Sequence, residues 1–218
     1  SGRNSYVDFM NPYRVTTPML KQNESMHSVS IEALLASVNT QLKSASSIQI
    51  VVGTDATREE AALLKEKVPT LIGKTVAVSY FNGTNGVTSP ADDKKLDHLL
   101  KMKDLTPNTR GVADEGLAPL ANGELSAEVA ILFRNGRAGI PKMKADQKLV
   151  LWGVWSQKDI QSLPSKNILG VIAGLATIEK EGSYKNVAGI VQKFHPAIIH
   201  RGGALSAHQV VGLWKSLT

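Results

Sequence analysis

The sequence predicts an α+β protein: a mixed domain with a helical C-terminal half and an extended N-terminal arm. Three observations lead to this prediction. The first residues are polar and rich in turns, two short β-type segments lie among helical patterns in the first half, and apolar residues with helical spacing fill the last third. Hydrophobic residues make up 42% of the chain and charged residues 20%, a composition typical of globular domains.

Residues 1–29 form the predicted arm. Asn11-Pro12 and Thr17-Pro18 interrupt any regular pattern. The segment nevertheless carries many large apolar side chains: Tyr6, Phe9, Met10, Tyr13, Met19 and Leu20. Disordered tails contain few such residues, so we expect the arm to dock on its own domain or, as the favoured prediction, on a neighbouring copy of the chain.

Residues 30–218 form the predicted mixed domain. Its first half begins with a helix after Ser30. A strand over 48–52 follows, and Thr57 and Glu60 then form the Thr-x-x-Glu pattern of a capping box. This second helix should stop near Val68, because the residue before a proline disfavours helical geometry. The remaining predicted elements of this half are a strand over 75–81 and a helix opened by Ser89-Pro90.

The second half follows a long loop over 104–126, which is a candidate boundary between two lobes of a single domain. A strand is expected over 128–133, and the apolar run 149–155 fits a strand or a helix. Three helices complete the prediction: a central buried one over 168–178, one carrying residues 187–194, and one that begins at Ser206.

Several classes of function are disfavoured by what the sequence lacks. The chain has no cysteine, which removes thiol nucleophiles, disulfides and cysteine–metal sites. Gly73-Lys74-Thr75 resembles the end of a phosphate-binding loop, but the earlier glycine of that motif is missing. Among the five histidines, the spacing of His195 and His200 fits no common helical zinc motif. The sequence therefore predicts no metal and no cofactor, and it favours a protein that is not an enzyme.

Positive charge provides the candidate binding residues. Lysine and arginine outnumber acidic residues 25 to 19, giving a net charge of +6. The predicted nucleic-acid contacts lie mainly on a Gly- and Pro-containing segment: Arg134, Arg137, Lys142, Lys144, Lys148, and separately Arg201. Phe133, Trp152 and Trp155 flank this segment and could stack on unpaired bases. The alternative interpretation is an exposed basic hairpin beside core tryptophans.

These features favour a non-enzymatic, self-assembling protein that binds single-stranded nucleic acid, RNA in particular, through the phosphate backbone. Such a nucleocapsid or coat-like protein would reside in the cytoplasm or virion, associate through its arm and have no membrane span. The alternative is an α/β enzyme or small-ligand-binding protein with its site at the strand ends near residues 53–57 and 82–86. A structural or adaptor protein is the third possibility.

Overall fold

The computed structural model describes residues 9–23, 25–83, 106–135, 140–186, 188–200 and 202–218. These residues form an eight-stranded, mostly parallel β-sheet, a separate two-stranded hairpin and five α-helices. The described residues therefore form a mixed α/β fold with ten strands and five α-helices.

The strands, in chain order, are β1 Met19–Gln22, β2 Ser25–Ser28, β3 Ile48–Gly53, β4 Ala77–Phe81, β5 Ala118–Pro119, β6 Val129–Asn135, β7 Lys148–Val154, β8 Ile168–Ala173, β9 Gly182–Lys185 and β10 Val191–Phe194. The helices are α1 Ile31–Ser44, α2 Arg58–Ile72, α3 Thr109–Asp114, α4 Gln157–Gln161 and α5 Ala207–Ser216.

The order of strands in the large sheet is β2-β1-β8-β7-β6-β3-β4-β5. Strands β3 to β8 all run parallel, and the β1–β2 hairpin is added antiparallel to β8. When the six parallel strands are numbered from the first, their spatial order is 3-2-1-4-5-6. This is the order of the doubly wound α/β folds.

The two faces of the sheet are covered differently. Helices α1, α2 and α5 pack on one face, where Leu35, Leu64 and Trp214 belong to the same buried cluster as alternate residues of the central strands. The other face is covered by irregular segments and by the short helix α4. Leu163, which follows this helix, is among the side chains buried on this face. Because both faces are buried, the central strands are apolar on both sides.

The predicted helical C-terminal half is wrong. The expected central helix over 168–178 is instead strand β8 followed by an irregular segment. The sequence pattern misled because a run that is apolar on all sides fits an internal parallel strand as well as it fits a buried helix. The apolar run 149–155, which fitted a strand or a helix, forms strand β7 up to Val154.

Two further expectations are corrected. The helix expected to carry residues 187–194 is not formed in the described part of that range: Gly189 N donates to Asn186 O in a turn, and Val191–Phe194 is strand β10. Helix α2 does not stop at Val68: it continues through Pro69 to Ile72 and is capped by Gly73 in a left-handed conformation, with φ of 71°. A proline in the last turn removes one donor without preventing the turn from closing.

Other local predictions are confirmed. Helix α1 begins after Ser30, whose hydroxyl accepts from Ala33 N, and the capping box of Thr57 and Glu60 is present at the start of α2. Strands β3, β4 and β6 and helix α5 also fall where they were expected. The helix predicted after Ser89-Pro90 lies outside the described residues.

The described part of the arm packs on its own chain. Val15 N donates to Trp155 O at 2.8 Å, and Gln157 N donates to Tyr13 O at 2.9 Å. Met19 then pairs with Val171 as β1 joins β8. This segment extends the large sheet by the two strands of the β1–β2 hairpin.

Candidate ligand site at the carboxyl edge of the sheet

The carboxyl ends of β3 and β6 lie side by side at the centre of the sheet. The segments that follow these two strands pack on opposite faces of the sheet. Val52 of β3 is opposite Phe133 of β6. After β3 the chain enters α2 on the helix-covered face, whereas after β6 residues Ile140 and Met143 pack on the other face. Two adjacent parallel strands whose connections leave to opposite faces create a crevice at their carboxyl ends, which is where doubly wound proteins bind ligands.

The residues that follow β3 are polar and buried. Thr54 and Thr57 are fully buried, and Asp55 is 9% exposed. Asn108 holds this turn by donating its backbone N–H to Thr54 O at 3.1 Å and its side-chain amide to Ala56 O at 2.7 Å. Thr54 Oγ1 has no hydrogen-bond partner in the described part of the chain. Buried hydroxyls are normally paired, so a water molecule or a ligand atom is expected beside it.

Residues 174–185, here called the edge strap, span the carboxyl edge from β8 to β3. Gly174 N donates to Gly153 O at 2.9 Å, and a Cβ atom at Gly174 would lie only 2.6 Å from Gly153 Cα. At the other end, Tyr184 OH donates to Asp55 O at 2.7 Å. The two ends are three strand spacings apart, roughly 14 Å. The edge strap therefore reaches past the crevice between β3 and β6.

Two buried ion pairs anchor the edge strap, one to the arm and one to α2. Glu179 accepts from Arg14 Nη2 at 2.6 Å, and both side chains are at most 2% exposed. The next residue, Lys180, donates to Glu60 Oε2 of α2, also at 2.6 Å, with side chains 4% and 9% exposed. Breaking a buried ion pair leaves an uncompensated charge, so each pair fixes the edge strap strongly.

The N-terminus of α2 is already occupied by acidic side chains of the protein. Glu60 accepts from Thr57 N at 2.8 Å, and Glu59 accepts from Ser183 N and Ser183 Oγ at 2.9 and 2.7 Å. Partial burial raises the pKa of Glu59, but the hydrogen bonds from Ser183 and the first turn outweigh it and bring the pKa below its ordinary value. These carboxylates take the position where a helix N-terminus would receive a phosphate.

Tyr184 is a structural donor in this cluster. Burial, reinforced by the negative charges of Asp55 and Glu60, raises its pKa above the ordinary value for tyrosine. The ring of Tyr184 packs on Phe194 at a centroid distance of 4.9 Å. The phenol stays protonated and keeps its hydrogen bond to the turn after β3.

Of the six predicted nucleic-acid contacts, the described structure gives the positions of Lys142, Lys144 and Lys148 and the backbone of Arg134. The backbone of Arg134 lies one residue before the end of β6, at the carboxyl edge, whereas Lys148 begins β7 opposite Val129 at the amino edge. Those two positions are five strand residues apart, roughly 16 Å. Lys142 and Lys144 are exposed on the segment that crosses the sheet between them. The side chain of Arg134, and Arg137 and Arg201 altogether, lie outside the described residues.

The prediction that aromatic side chains stack on bases is wrong. Phe133 and Trp152 are 3% and 0% exposed and pack edge-to-face with their ring centroids 5.3 Å apart. Trp155 is 1% exposed. All three belong to the interior of the protein, as the alternative interpretation of core tryptophans held.

The alternative site near residues 53–57 and 82–86 falls at the carboxyl edge. The turn after β3 is described above, Asn82 and Gly83 follow β4, and residues 84–86 lie outside the described part. Sequence reasoning missed the residues that complete this edge: Arg14, Asn108, Glu179, Lys180 and Tyr184. No local pattern indicates them, since Lys180 is 120 positions from its partner and Arg14 is 165 positions from Glu179.

In comparisons with known proteins, no family model matches this chain, and no curated protein matches it significantly. Across the described ranges, no three His, Cys, Asp or Glu side chains come close enough together to hold a metal ion. No helix in that part of the chain is long and apolar enough to cross a membrane.

Proposed function

We propose that the protein binds a small phosphate-bearing ligand, such as a nucleotide, at the carboxyl edge of the sheet between β3 and β6. The observation that carries this proposal is the divergence of the two connections to opposite faces of the sheet. Doubly wound sheets bind ligands at that point because the crevice is open to groups from both strand ends.

The sequence that follows Phe133 supports an anionic ligand through its positive charge. The segment that leaves β6 has the sequence Arg134-Asn135-Gly136-Arg137, which combines two guanidinium groups with a glycine. Guanidinium groups bind phosphate oxygens with two parallel hydrogen bonds. On the β3 side, the acidic residues at the start of α2 disfavour a phosphate. The phosphate is therefore expected against the β6 segment, with the unpaired hydroxyl of Thr54 near the remainder of the ligand.

A second candidate is the binding of single-stranded nucleic acid along the phosphate backbone. The exposed side chains of Lys142 and Lys144 favour it, because they place positive charge outside the carboxyl edge, with Lys142 Nζ 3.5 Å from Glu124 Oε1. A polymer could follow such a path, and a self-assembling nucleocapsid or coat-like role in a virion would be its extension. A small ligand would need only the groups at the edge.

Matched double variants separate the two candidates. Arg134→Ala with Arg137→Ala removes both cations of the sequence 134–137, and Lys142→Ala with Lys144→Ala removes two from the crossing segment. We expect the first pair to weaken binding of ATP, measured by calorimetry, roughly tenfold or more, since a hydrogen bond to a charged group contributes about 1.5–3 kcal/mol. The lysine pair should leave ATP binding unchanged.

The same variants are then titrated with a single-stranded RNA oligonucleotide at several salt concentrations. If both pairs weaken RNA binding and flatten its salt dependence, and the parent does not bind ATP, the polymer is the ligand and the small-ligand proposal is wrong. If the parent binds neither probe, both candidates are wrong.

A further inference from the structure

Asn108 stands at the start of helix α3 but its side chain does not cap the helix. Asparagine is favoured at this position because its side-chain oxygen can accept a hydrogen bond from a backbone N–H of the first turn. In this protein the side chain makes no such bond to α3. The residue is fully buried, and its side-chain hydrogen bonds go to two other elements. The tertiary contacts of Asn108 therefore take precedence over helix capping.

Both ends of the Asn108 amide are used, one toward the candidate ligand site and one toward the edge strap. Nδ2 donates to Ala56 O, in the turn after β3, at 2.7 Å. Oδ1 accepts from the backbone N–H of Lys185, the last residue of β9, also at 2.7 Å. The backbone N–H of Asn108 adds a third bond, to Thr54 O at 3.1 Å. One residue thus joins the turn that carries the Thr54 hydroxyl to the end of the edge strap.

Gly111 leaves the space that this arrangement needs. A Cβ atom at Gly111 would lie 1.9 Å from Asn108 Oδ1 and 2.7 Å from Asn108 Cγ. Atoms that are not bonded to each other cannot approach so closely, so a larger residue at this position would displace the amide. Glycine in a helix is less favourable than alanine by about 0.5–1 kcal/mol. Asn108 and Gly111 therefore suit the turn after β3 better than they suit helix α3.

We propose that Asn108 is a positioning residue of the ligand site: it sets the geometry of the turn after β3 and couples that turn to β9. This inference rests on the proposed ligand site between β3 and β6. Because Asn108 is fully buried, it acts through Thr54 and Ala56 and does not itself contact the ligand. A ligand that moves the turn also moves the amide that binds Lys185 N, so its binding is transmitted to β9.

Asn108→Asp tests this role, because the effect of the substitution depends on pH. An ionised carboxylate would place an acceptor against Ala56 O. A neutral carboxylic acid can donate to that oxygen and still accept from Lys185 N, as the amide does. We expect the variant to bind ATP roughly tenfold more weakly than the parent at about pH 8, and nearly as tightly as the parent at about pH 5.5.

The surroundings of this side chain favour the neutral acid. Complete burial raises the pKa of an introduced carboxyl group, and Asp55 in the adjoining turn adds a like charge. The cations on the neighbouring elements are already paired, Arg58 with Glu115 and Lys185 with Asp114. Calorimetry of the variant and the parent at each pH corrects for the protonation of ATP itself.

Ser30→Ala is the matched control, because it removes the capping hydroxyl of α1 and lowers stability by about 1 kcal/mol. It should leave ATP binding unchanged at both pH values. If Asn108→Asp binds ATP like the parent at both pH values, or is weakened equally at both, the role of Asn108 is wrong and the ligand site stands. If the parent does not bind ATP, the ligand site is wrong and this inference fails with it.

Gly111→Ala provides the second test, which decides the matter if Asn108→Asp does not fold at the higher pH. Alanine favours the helix but displaces the amide, so the substitution should weaken ATP binding and break the link to β9. In amide NMR spectra, ATP should shift the signals of Ala56 and Lys185 together in the parent, but only that of Ala56 in Gly111→Ala. A Lys185 signal that never responds, or that responds equally in both proteins, would show that Asn108 does not couple the turn to β9.

Discussion

The interior of the sheet and the cluster at its carboxyl edge are both buried, but they are held by different forces. In the interior, side chains such as Ile131 and Leu151 are fully buried among other apolar groups. At the edge, the buried groups are the ion pairs Arg14–Glu179 and Glu60–Lys180 and the hydrogen bonds of the edge strap. The stability of the interior depends on how completely apolar side chains fill the space. The stability of the edge depends on each charged or polar group keeping its particular partner.

The largest expected effect comes from breaking one buried pair. Lys180→Met leaves the carboxylate of Glu60 buried without its partner, which should lower the free energy of unfolding by about 3–5 kcal/mol. Replacing both residues, as Glu60→Gln with Lys180→Met, should restore most of this loss, because no uncompensated charge remains and glutamine can keep the hydrogen bond from Thr57 N. Urea unfolding of the three proteins measures the difference. Equal stability of the single and double variants would show that charge does not govern this edge.

A smaller effect is expected from removing volume inside the sheet. Ile131→Val takes away one methylene group from a fully buried site and should cost about 0.5–1.5 kcal/mol. No second substitution at a distant position should restore it specifically. The same unfolding experiment checks this, with Leu217→Ala at a largely exposed site as the control. A loss as large as that of Lys180→Met would contradict the contrast between the two regions.

The smallest effect concerns pH. The pKa of Glu59 is lowered in the folded protein, so its ionised form contributes stability above the ordinary pKa of 4.5, and this contribution is lost as the pH falls through the lowered value. Ser183→Ala removes the side-chain donor and should reduce the loss of stability between about pH 5 and pH 3. Thermal unfolding across that range measures it. An unchanged pH profile would mean that Ser183 does not determine the ionisation of Glu59.

The sequence was informative wherever structure depends on neighbouring residues. Ser30 and the Thr57–Glu60 capping box correctly marked the starts of two helices, because capping uses residues only three positions apart. The apolar run of β8 was misread because burial on both faces removes the alternation that identifies a strand. When a run is apolar on all sides, local spacing cannot distinguish an internal parallel strand from a buried helix.

The candidate site could be predicted only in part. The turn after β3 was part of the alternative site, which was placed at the ends of two predicted strands. Its position beside β6 was not predictable, since strand order is set by contacts between distant segments. The edge strap was missed entirely: Glu179 and Lys180 reach partners in the arm and in α2 that no local pattern relates to them.

Amide NMR titration of the parent protein with ATP tests the central claim most directly. The account predicts that the signals of the turn after β3, from Gly53 to Ala56, and those at the end of β6, Arg134 and Asn135, shift together and saturate at one ligand concentration. Signals of Lys142, Lys144 and Lys148 should stay in place. Shifts confined to these three lysines, or no shift at either strand end, would contradict a ligand site at the carboxyl edge.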